Sequence, residues 1–210
     1  PYNTYHIQVY NKKGLLIEDL IPNILREDNP DANRLWRGVN YTGLPWVLPS
    51  PNIPFCDTPR YYAAAGIAGE ISGLLQIGIG YTLPFQVFAA EWIDAEALKA
   101  ELESYDLPGV AFRCIYYKPF SGSQAGRLVQ GVQYYFTDYE AASLTLVQFY
   151  VLQAIAGLYP DHLPFKEGRK TGAFDKVCGS SYVRETFAAR HRVEDIREYW
   201  EADAASFRAM

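Results

Sequence analysis

Four of the thirteen prolines fall within ten residues, at positions 45, 49, 51 and 54. Proline fixes the backbone angle φ and lacks an amide N–H, and it biases the residue before it away from the helical conformation. The segment from Pro45 to Pro54 is therefore predicted to be a stiff, extended arm that carries Trp46 and Asn52 at set positions. A linker is the alternative. The apolar residues between the prolines favour an arm that packs onto a folded domain.

The composition is typical of an ordered globular protein. Hydrophobic residues make up 49% of the 210 residues and charged residues 20%, and this length is sufficient for one large domain with a buried core. The 17 tyrosines are a high number. Tyrosine suits the binding of sugars and proteins, because its ring stacks while its hydroxyl forms hydrogen bonds.

Several classes of partner and cofactor are not expected. The net charge is −5 and the sequence has no long basic run, so nucleic acid is not a predicted partner. The sequence also has no apolar stretch of about 18 residues, so no membrane span is predicted. Cys56, Cys114 and Cys178 lack metal-ligand spacing and are predicted to be three buried thiols, with no metal site and no disulfide framework. The segment 78–80 has the form Gly-X-Gly, but Leu83 occupies the third glycine position of a nucleotide loop, so no cofactor is predicted.

Hydrophobic periodicity predicts an α+β fold in a single domain, with a mixed sheet of about four to six strands packed against helices. Asp94 is predicted to cap one helix, and Thr137 with Glu140 to form the capping box of the longest. Strands are predicted at residues 6–10, on both sides of a glycine bend between 74 and 89, at 110–117 and at 132–136. Helices are predicted at residues 19–26, 58–68, 94–105, 140–159, 174–177, 182–189 and from 193 onward.

Two carboxylates are candidates for catalysis. Glu70 follows the predicted helix 58–68, and Asp57 precedes it. A pair about 5–10 Å apart can hydrolyse a glycosidic bond, whereas capping by Asp57 and solvent exposure of Glu70 are the structural alternatives. The three histidines do not belong to a nucleophile motif, so no complete catalytic set is predicted from these residues alone.

Seven motifs follow one another along the chain, namely Thr42–Val47, Pro49–Pro54 with Asp57-Thr58, Tyr81–Phe85, Ala90–Ala95, Leu107–Val110, Gly131–Gln133 and Trp200-Glu201. In residues and order they resemble the C-terminal domain of the YbbC/NamZ family of bacterial exo-β-N-acetylmuramidases. The resemblance implies that the chain lacks an N-terminal Rossmann-like domain carrying the principal catalytic acid, and that it closes the cleft and helps to bind the sugar. The start at Pro1 and the end within a predicted helix predict either a processed product or a piece of a longer protein.

The chain departs from this family pattern in two segments. Many members have a Glu and two Arg residues in a polar segment that corresponds to residues 76–86, and here these positions are Ile77, Ile79 and Leu83. A Lys-His-Ala-Gly motif of the family corresponds here to residues 123–126, with the sequence Ser-Gln-Ala-Gly. The loss of two guanidiniums removes bidentate partners for a carboxylate, which predicts an altered specificity.

The resemblance implies a domain of residues 42–210 preceded by a lead-in of residues 1–41. It also implies a sugar derived from peptidoglycan as the ligand and a periplasmic or secreted location. The predicted substrate-binding residues are Trp46, Asn52, Glu70 and Tyr81, and Glu70 is the weak catalytic candidate. The alternatives are a non-catalytic module that binds glycans or proteins, and a self-sufficient hydrolase that uses Asp57 and Glu70.

Overall fold

The computed structural model describes residues 46–122 and 124–204, and the backbone of residues 8–10 and 16–19. Its internal contacts divide the chain into two compact units, Pro1–Asp57 and Thr58–Met210. The predicted boundary at residue 42 stays a prediction. Within the described residues, no helix is long and apolar enough to cross a membrane.

The first unit contains a short antiparallel hairpin of β1 (Gln8–Tyr10) and β2 (Leu16–Asp19). The strand predicted at residues 6–10 is present over its described part, whereas Asp19 ends a strand instead of starting the predicted helix. The rest of that predicted helix, residues 20–26, lies outside the described residues.

The proline arm is less extended than predicted. Its described part begins at Trp46, and it turns at Ser50, whose carbonyl oxygen accepts a hydrogen bond from the Ile53 amide at 2.9 Å. The Ser50 hydroxyl also accepts one from the Asn52 amide at 3.2 Å. Serine stabilises such local turns, which explains why the arm bends between two of its prolines.

The second unit has an α+β fold. Its described residues form six α-helices and three strands. In chain order these elements are α1 (Thr58–Gly69), β3 (Val87–Ala90), α2 (Ala95–Ser104), β4 (Val110–Tyr117), β5 (Val129–Phe136), α3 (Val147–Leu158), α4 (Gly172–Cys178), α5 (Tyr182–Arg190) and α6 (Glu194–Glu201). Single turns of 3₁₀ helix occur at Leu144–Leu146 and Pro160–His162. The three strands form one antiparallel sheet in the order β3-β5-β4, so the predicted mixed sheet of four to six strands is larger than the one found.

The strand predicted before the glycine bend does not form. Gln76 makes a single antiparallel bridge to Ala89, and the chain then turns away from the sheet. Gly78 and Gly80 have φ angles of 88° and 79°, which strands do not adopt. The described residues before the glycine bend therefore add no fourth strand beside β3.

One face of the sheet packs against α1. The ring of Tyr134 in β5 is fully buried and stacks on Phe88 of β3 with ring centroids 5.2 Å apart. Its hydroxyl donates to the carbonyl oxygen of Tyr61 in α1 at 3.1 Å, and also to the carbonyl oxygen of Phe85. The hydroxyl thus connects the sheet, the first helix and the segment that leads into β3.

Local capping chemistry explains the start of α2 but not the start of α3. Asp94 caps α2 as predicted, because its carboxylate accepts a hydrogen bond from the Ala97 amide at 3.0 Å. The prediction that a helix begins at Glu140 is wrong, and α3 begins at Val147. The Asp138 carboxylate accepts from the amides of Glu140 and Ala141, and this turn replaces the predicted capping box.

The three cysteines are only half-buried, so the prediction of buried thiols is wrong in degree. All three are free. Burial raises the pKa of Cys178 to about 11, and burial also raises the pKa of Cys114. Both thiols are therefore protonated at neutral pH and are weak nucleophiles there.

Gln148 connects α3 to α1 through the core. Its side chain is fully buried, its oxygen accepts from the Ala68 amide at 2.9 Å, and its nitrogen donates to the Ala63 carbonyl at 3.1 Å. We expect Gln148→Leu to lower the free energy of unfolding by about 2 kcal/mol, because buried backbone groups lose a partner. Urea denaturation measures this change. The half-buried Gln130→Leu is the control, and an equal loss in both variants would contradict the proposed role of Gln148.

Candidate functional site

A closed loop covers the second face of the sheet. This glycine loop, residues 77–85, is shut by a hydrogen bond of 2.6 Å from the Phe85 amide to the Ile77 carbonyl oxygen. A Cβ atom added at Gly78 would lie 2.0 Å from the Leu83 carbonyl oxygen. Because that contact is with backbone and φ is positive, glycine is required here. The prediction that these glycines permit a bend is confirmed.

Phe85 has a φ of 65°, although it is an aromatic residue. The left-handed region is unfavourable for residues with a bulky side chain. Two hydrogen bonds hold this conformation, one from its own amide to Ile77 and one from the Tyr134 hydroxyl to its carbonyl oxygen. Such local strain occurs preferentially at functional sites, where the surrounding structure maintains it.

The β4–β5 loop, residues 118–128, lies against the glycine loop. The Phe120 amide donates to the Gly80 carbonyl oxygen at 2.8 Å, and a Cβ atom at Gly80 would lie 2.6 Å from the Ser121 carbonyl oxygen. The two loops contain the segments that the sequence analysis predicts to depart from the family pattern. They are about 40 residues apart in the sequence and adjacent in the fold.

A pair of tyrosines lies where the glycine loop covers the sheet. We call Tyr81 and Tyr117 the tyrosine platform; their rings stack with centroids 4.2 Å apart and an interplanar angle of 28°. Tyr81 is half-buried, and Tyr117 is the last residue of β4. The two rings pack with Leu83 on a cluster of Val87, Ala89, Ile115 and Val129.

Two polar atoms in this region are buried without a hydrogen-bond partner in the described part of the chain. They are the Tyr117 hydroxyl and the side-chain oxygen of Gln124 in the β4–β5 loop. Burial, with a smaller contribution from Tyr81, raises the pKa of Tyr117, so its hydroxyl stays protonated and can donate. Buried polar atoms normally have a partner, so the pair offers one donor and one acceptor to a ligand.

Two of the three residues at the positions predicted to be charged in many family members, Ile77 and Leu83, have packing roles. Ile77 is buried beside α1, where a Cβ atom added at Gly69 would lie 2.4 Å from its side chain. Leu83 packs on the apolar cluster of the sheet. These side chains stabilise the loop by burial and offer no charge to a ligand.

Sequence reasoning did not find Arg127, a cation of the β4–β5 loop. Its guanidinium forms an exposed ion pair of 2.7 Å with Glu91, the residue after β3. Glu91 belongs to a family motif, but only the fold brings the two together. Exposed pairs of this kind contribute little to stability, about 0–1 kcal/mol, so Arg127 can exchange partners at small cost.

The other predicted site residues lie in separate parts of the chain. Glu70 is exposed just after α1, and its amide donates to the Ile67 carbonyl oxygen. Trp46 and Asn52 belong to the first compact unit, as does Asp57, whereas Glu70 belongs to the second. Their roles, and the Asp57–Glu70 pair, therefore stay predictions. No group of three or more potential metal ligands occurs among the described residues.

Comparison with known proteins tests the family resemblance. The family model described as exo-β-N-acetylmuramidase NamZ, C-terminal, matches residues 60–210. The chain belongs to the NamZ C-terminal family. The matched region begins two residues into α1 and includes the glycine loop and the β4–β5 loop, so the resemblance predicted from the motifs is confirmed.

Two relatives of this NamZ C-terminal chain extend the comparison. The peptidoglycan β-N-acetylmuramidase NamZ of Bacillus subtilis (strain 168) is 32% identical over 205 residues, which cover 93% of this chain and 48% of that protein. A crystal structure of a DUF1343 family protein from Bacteroides fragilis NCTC 9343 is 44% identical, with a TM-score of 0.76 over 80% of this chain and 44% of that one. The chain thus spans about half the length of these relatives.

Proposed function

We propose that this chain is the substrate-binding, cleft-closing part of a peptidoglycan glycosidase that acts on β-glycosides of N-acetylmuramic acid. The observation that carries the proposal is the tyrosine platform, with two unpaired buried polar atoms, at the junction of the two loops. Family membership supplies the substrate class. The principal catalytic acid would come from an N-terminal half, as the length of the relatives suggests.

The platform suits one face of a sugar ring. Sugar C–H groups pack on the ring of Tyr81, while its hydroxyl can bind a sugar oxygen. The Tyr117 hydroxyl would donate to a ring substituent, and the Gln124 oxygen would accept from a sugar hydroxyl or an acetamido N–H. Glu70 would add a further substrate contact in the second unit, and Trp46 and Asn52 of the first unit stay predicted substrate-binding residues. Glu70 is exposed and is therefore accessible to a ligand. The exposed guanidinium of Arg127 would form an ion pair with the lactyl carboxylate of the sugar.

The test measures both binding and hydrolysis. Isothermal titration of the 210-residue chain with a methyl β-glycoside of N-acetylmuramic acid is expected to show saturable binding, with the N-acetylglucosamine glycoside as the control. The full-length gene product is expected to release N-acetylmuramic acid from the same glycoside. Absence of both binding and release would contradict the proposal.

A non-catalytic glycan-binding module is the second candidate. The burial of Ile77 and the packing of Leu83 at positions that are charged in many family members favour it. It predicts that the full-length protein binds the glycoside without hydrolysing it. A location in the periplasm or outside the cell follows from the position of peptidoglycan, and cell fractionation with a cytoplasmic marker tests it.

Tyr117→Phe separates a binding role from a structural role. Removal of an unpaired buried hydroxyl is expected to raise the free energy of unfolding by about 1 kcal/mol, because its desolvation cost disappears. Binding of the muramic acid glycoside is expected to weaken about tenfold, because one hydrogen bond to the sugar is lost. Thermal denaturation and titration measure the two effects. A loss of stability with unchanged binding would show that the hydroxyl serves only the fold.

A further inference from the structure

A cavity lined almost wholly by one basic loop lies beside the segment after α1. This basic cavity has a volume of about 390 Å³ and is lined by Ser72 and residues 166–170. The loop contributes Lys166, Arg169 and Lys170, and a single carboxylate, Glu167. This concentration of cations contrasts with the net charge of −5 of the whole chain.

The three cations do not form ion pairs within the described part of the chain. Lys166 and Arg169 donate to the backbone carbonyl oxygens of Asp161 at 3.4 Å and Ser72 at 3.0 Å. Other arginines of the second unit do pair with carboxylates, namely Arg127, Arg184, Arg190 and Arg197. The three cations around the basic cavity therefore lack the ion pairs that these four arginines form.

Arg169 carries the strongest indication of a ligand. Its Nε–H group is buried and has no hydrogen-bond partner among the described residues. Burial also lowers the pKa of Arg169, which shows that the guanidinium is partly desolvated without a carboxylate beside it. Desolvation of a charged donor is costly unless an opposite charge accepts its hydrogen bonds. The hydrogen bond to Ser72 nevertheless holds the side chain in this position.

We propose that the basic cavity binds an oxyanion, either a carboxylate or a phosphate group. The planar guanidinium matches two oxygens of such a group, with Nε as one of its donors, and the lysines add charge without fixed geometry. The cavity is large enough for the anionic group together with part of the molecule that bears it. The site does not depend on the sugar-binding proposal, because it uses none of the residues of the tyrosine platform.

The test titrates the 210-residue chain and its variants with inorganic phosphate and, separately, with acetate by isothermal titration calorimetry, and the Nε–H signal of Arg169 is followed by nitrogen-15 NMR in the chain that keeps this residue. Saturable binding of at least one ligand is expected, and the stronger of the two identifies the class of oxyanion. Arg169→Lys is expected to weaken binding about tenfold, because it loses the planar fork. Lys166→Gln is expected to weaken it about threefold through the loss of one charge.

Lys118→Gln is the matched control, because Lys118 is an exposed lysine that does not line the cavity. An unchanged affinity in this variant supports a specific site, and an equal loss would mean attraction by overall charge only, which overturns the proposal. The absence of saturable binding of both ligands also overturns it. If Arg169→Lys fails to fold in a thermal melt, Lys166→Gln combined with Lys170→Gln provides the test, and unchanged affinity in that variant contradicts the site.

Discussion

Replacement of Gly78 by alanine is expected to lower the free energy of unfolding by about 3 kcal/mol. The added Cβ would lie 2.0 Å from the Leu83 carbonyl oxygen, and this contact is with backbone, which no side-chain rotation relieves. The φ of 88° adds a conformational cost for alanine. Chemical denaturation measures the loss, and we also expect weaker sugar binding, because the glycine loop positions Tyr81.

Gly73→Ala is the matched control for this substitution. Gly73 also has a positive φ, 68°, but an added Cβ would meet no atom within 4 Å. Only the conformational cost of about 1 kcal/mol remains there. Equal losses in the two variants would show that backbone conformation alone matters, and that the close approach of Gly78 to Leu83 is unimportant.

Replacement of Tyr81 by alanine is expected to weaken binding of the muramic acid glycoside about thirtyfold, which corresponds to about 2 kcal/mol. The ring supplies the stacking surface of the platform, and its removal also exposes Tyr117. Titration calorimetry measures the affinity. Activity of the full-length protein is expected to fall in parallel when the substrate is below saturation.

Two further variants separate stacking from general effects. Tyr81→Phe keeps the ring and is expected to retain most of the affinity. Tyr199→Ala removes an exposed tyrosine whose ring lies tilted against that of Tyr182 with centroids 4.5 Å apart, and it is expected to leave sugar binding unchanged. Unchanged affinity in Tyr81→Ala, or an equal loss in Tyr199→Ala, would remove the tyrosine platform from the binding site.

Elements stabilised by neighbours in the sequence were predictable. The α2 helix was recognised from Asp94 and from apolar residues at helical spacing, because capping and amphipathicity act within a few turns. The strands β4 and β5 followed from their periodicity, although the packing of both faces of the sheet obscures the alternation of burial in β5. The family motifs identified the domain, because both their residue types and their order along the chain match those of the family.

Features that depend on contacts between distant segments were not predictable. The start of α3 was misplaced because Asp138 can cap a turn as readily as Thr137 can cap a helix, and tertiary packing decides between the two. The predicted sheet is too large because the apolar run before Gly78 has the composition of a strand but makes only the single bridge between Gln76 and Ala89. Local sequence does not distinguish burial in a strand from burial in a covering loop.

The bend at the glycines and the α+β class follow from the sequence alone, because glycine and hydrophobic periodicity act on the backbone locally. The tertiary structure alone pairs Tyr81 with Tyr117 and leaves the Tyr117 hydroxyl and the Gln124 oxygen without partners. The tertiary structure also places the guanidinium of Arg169 against the Ser72 carbonyl oxygen, with no carboxylate as its partner among the described residues. Burial and hydrogen bonding between remote segments are properties of the folded chain, and they determine where it can bind a ligand.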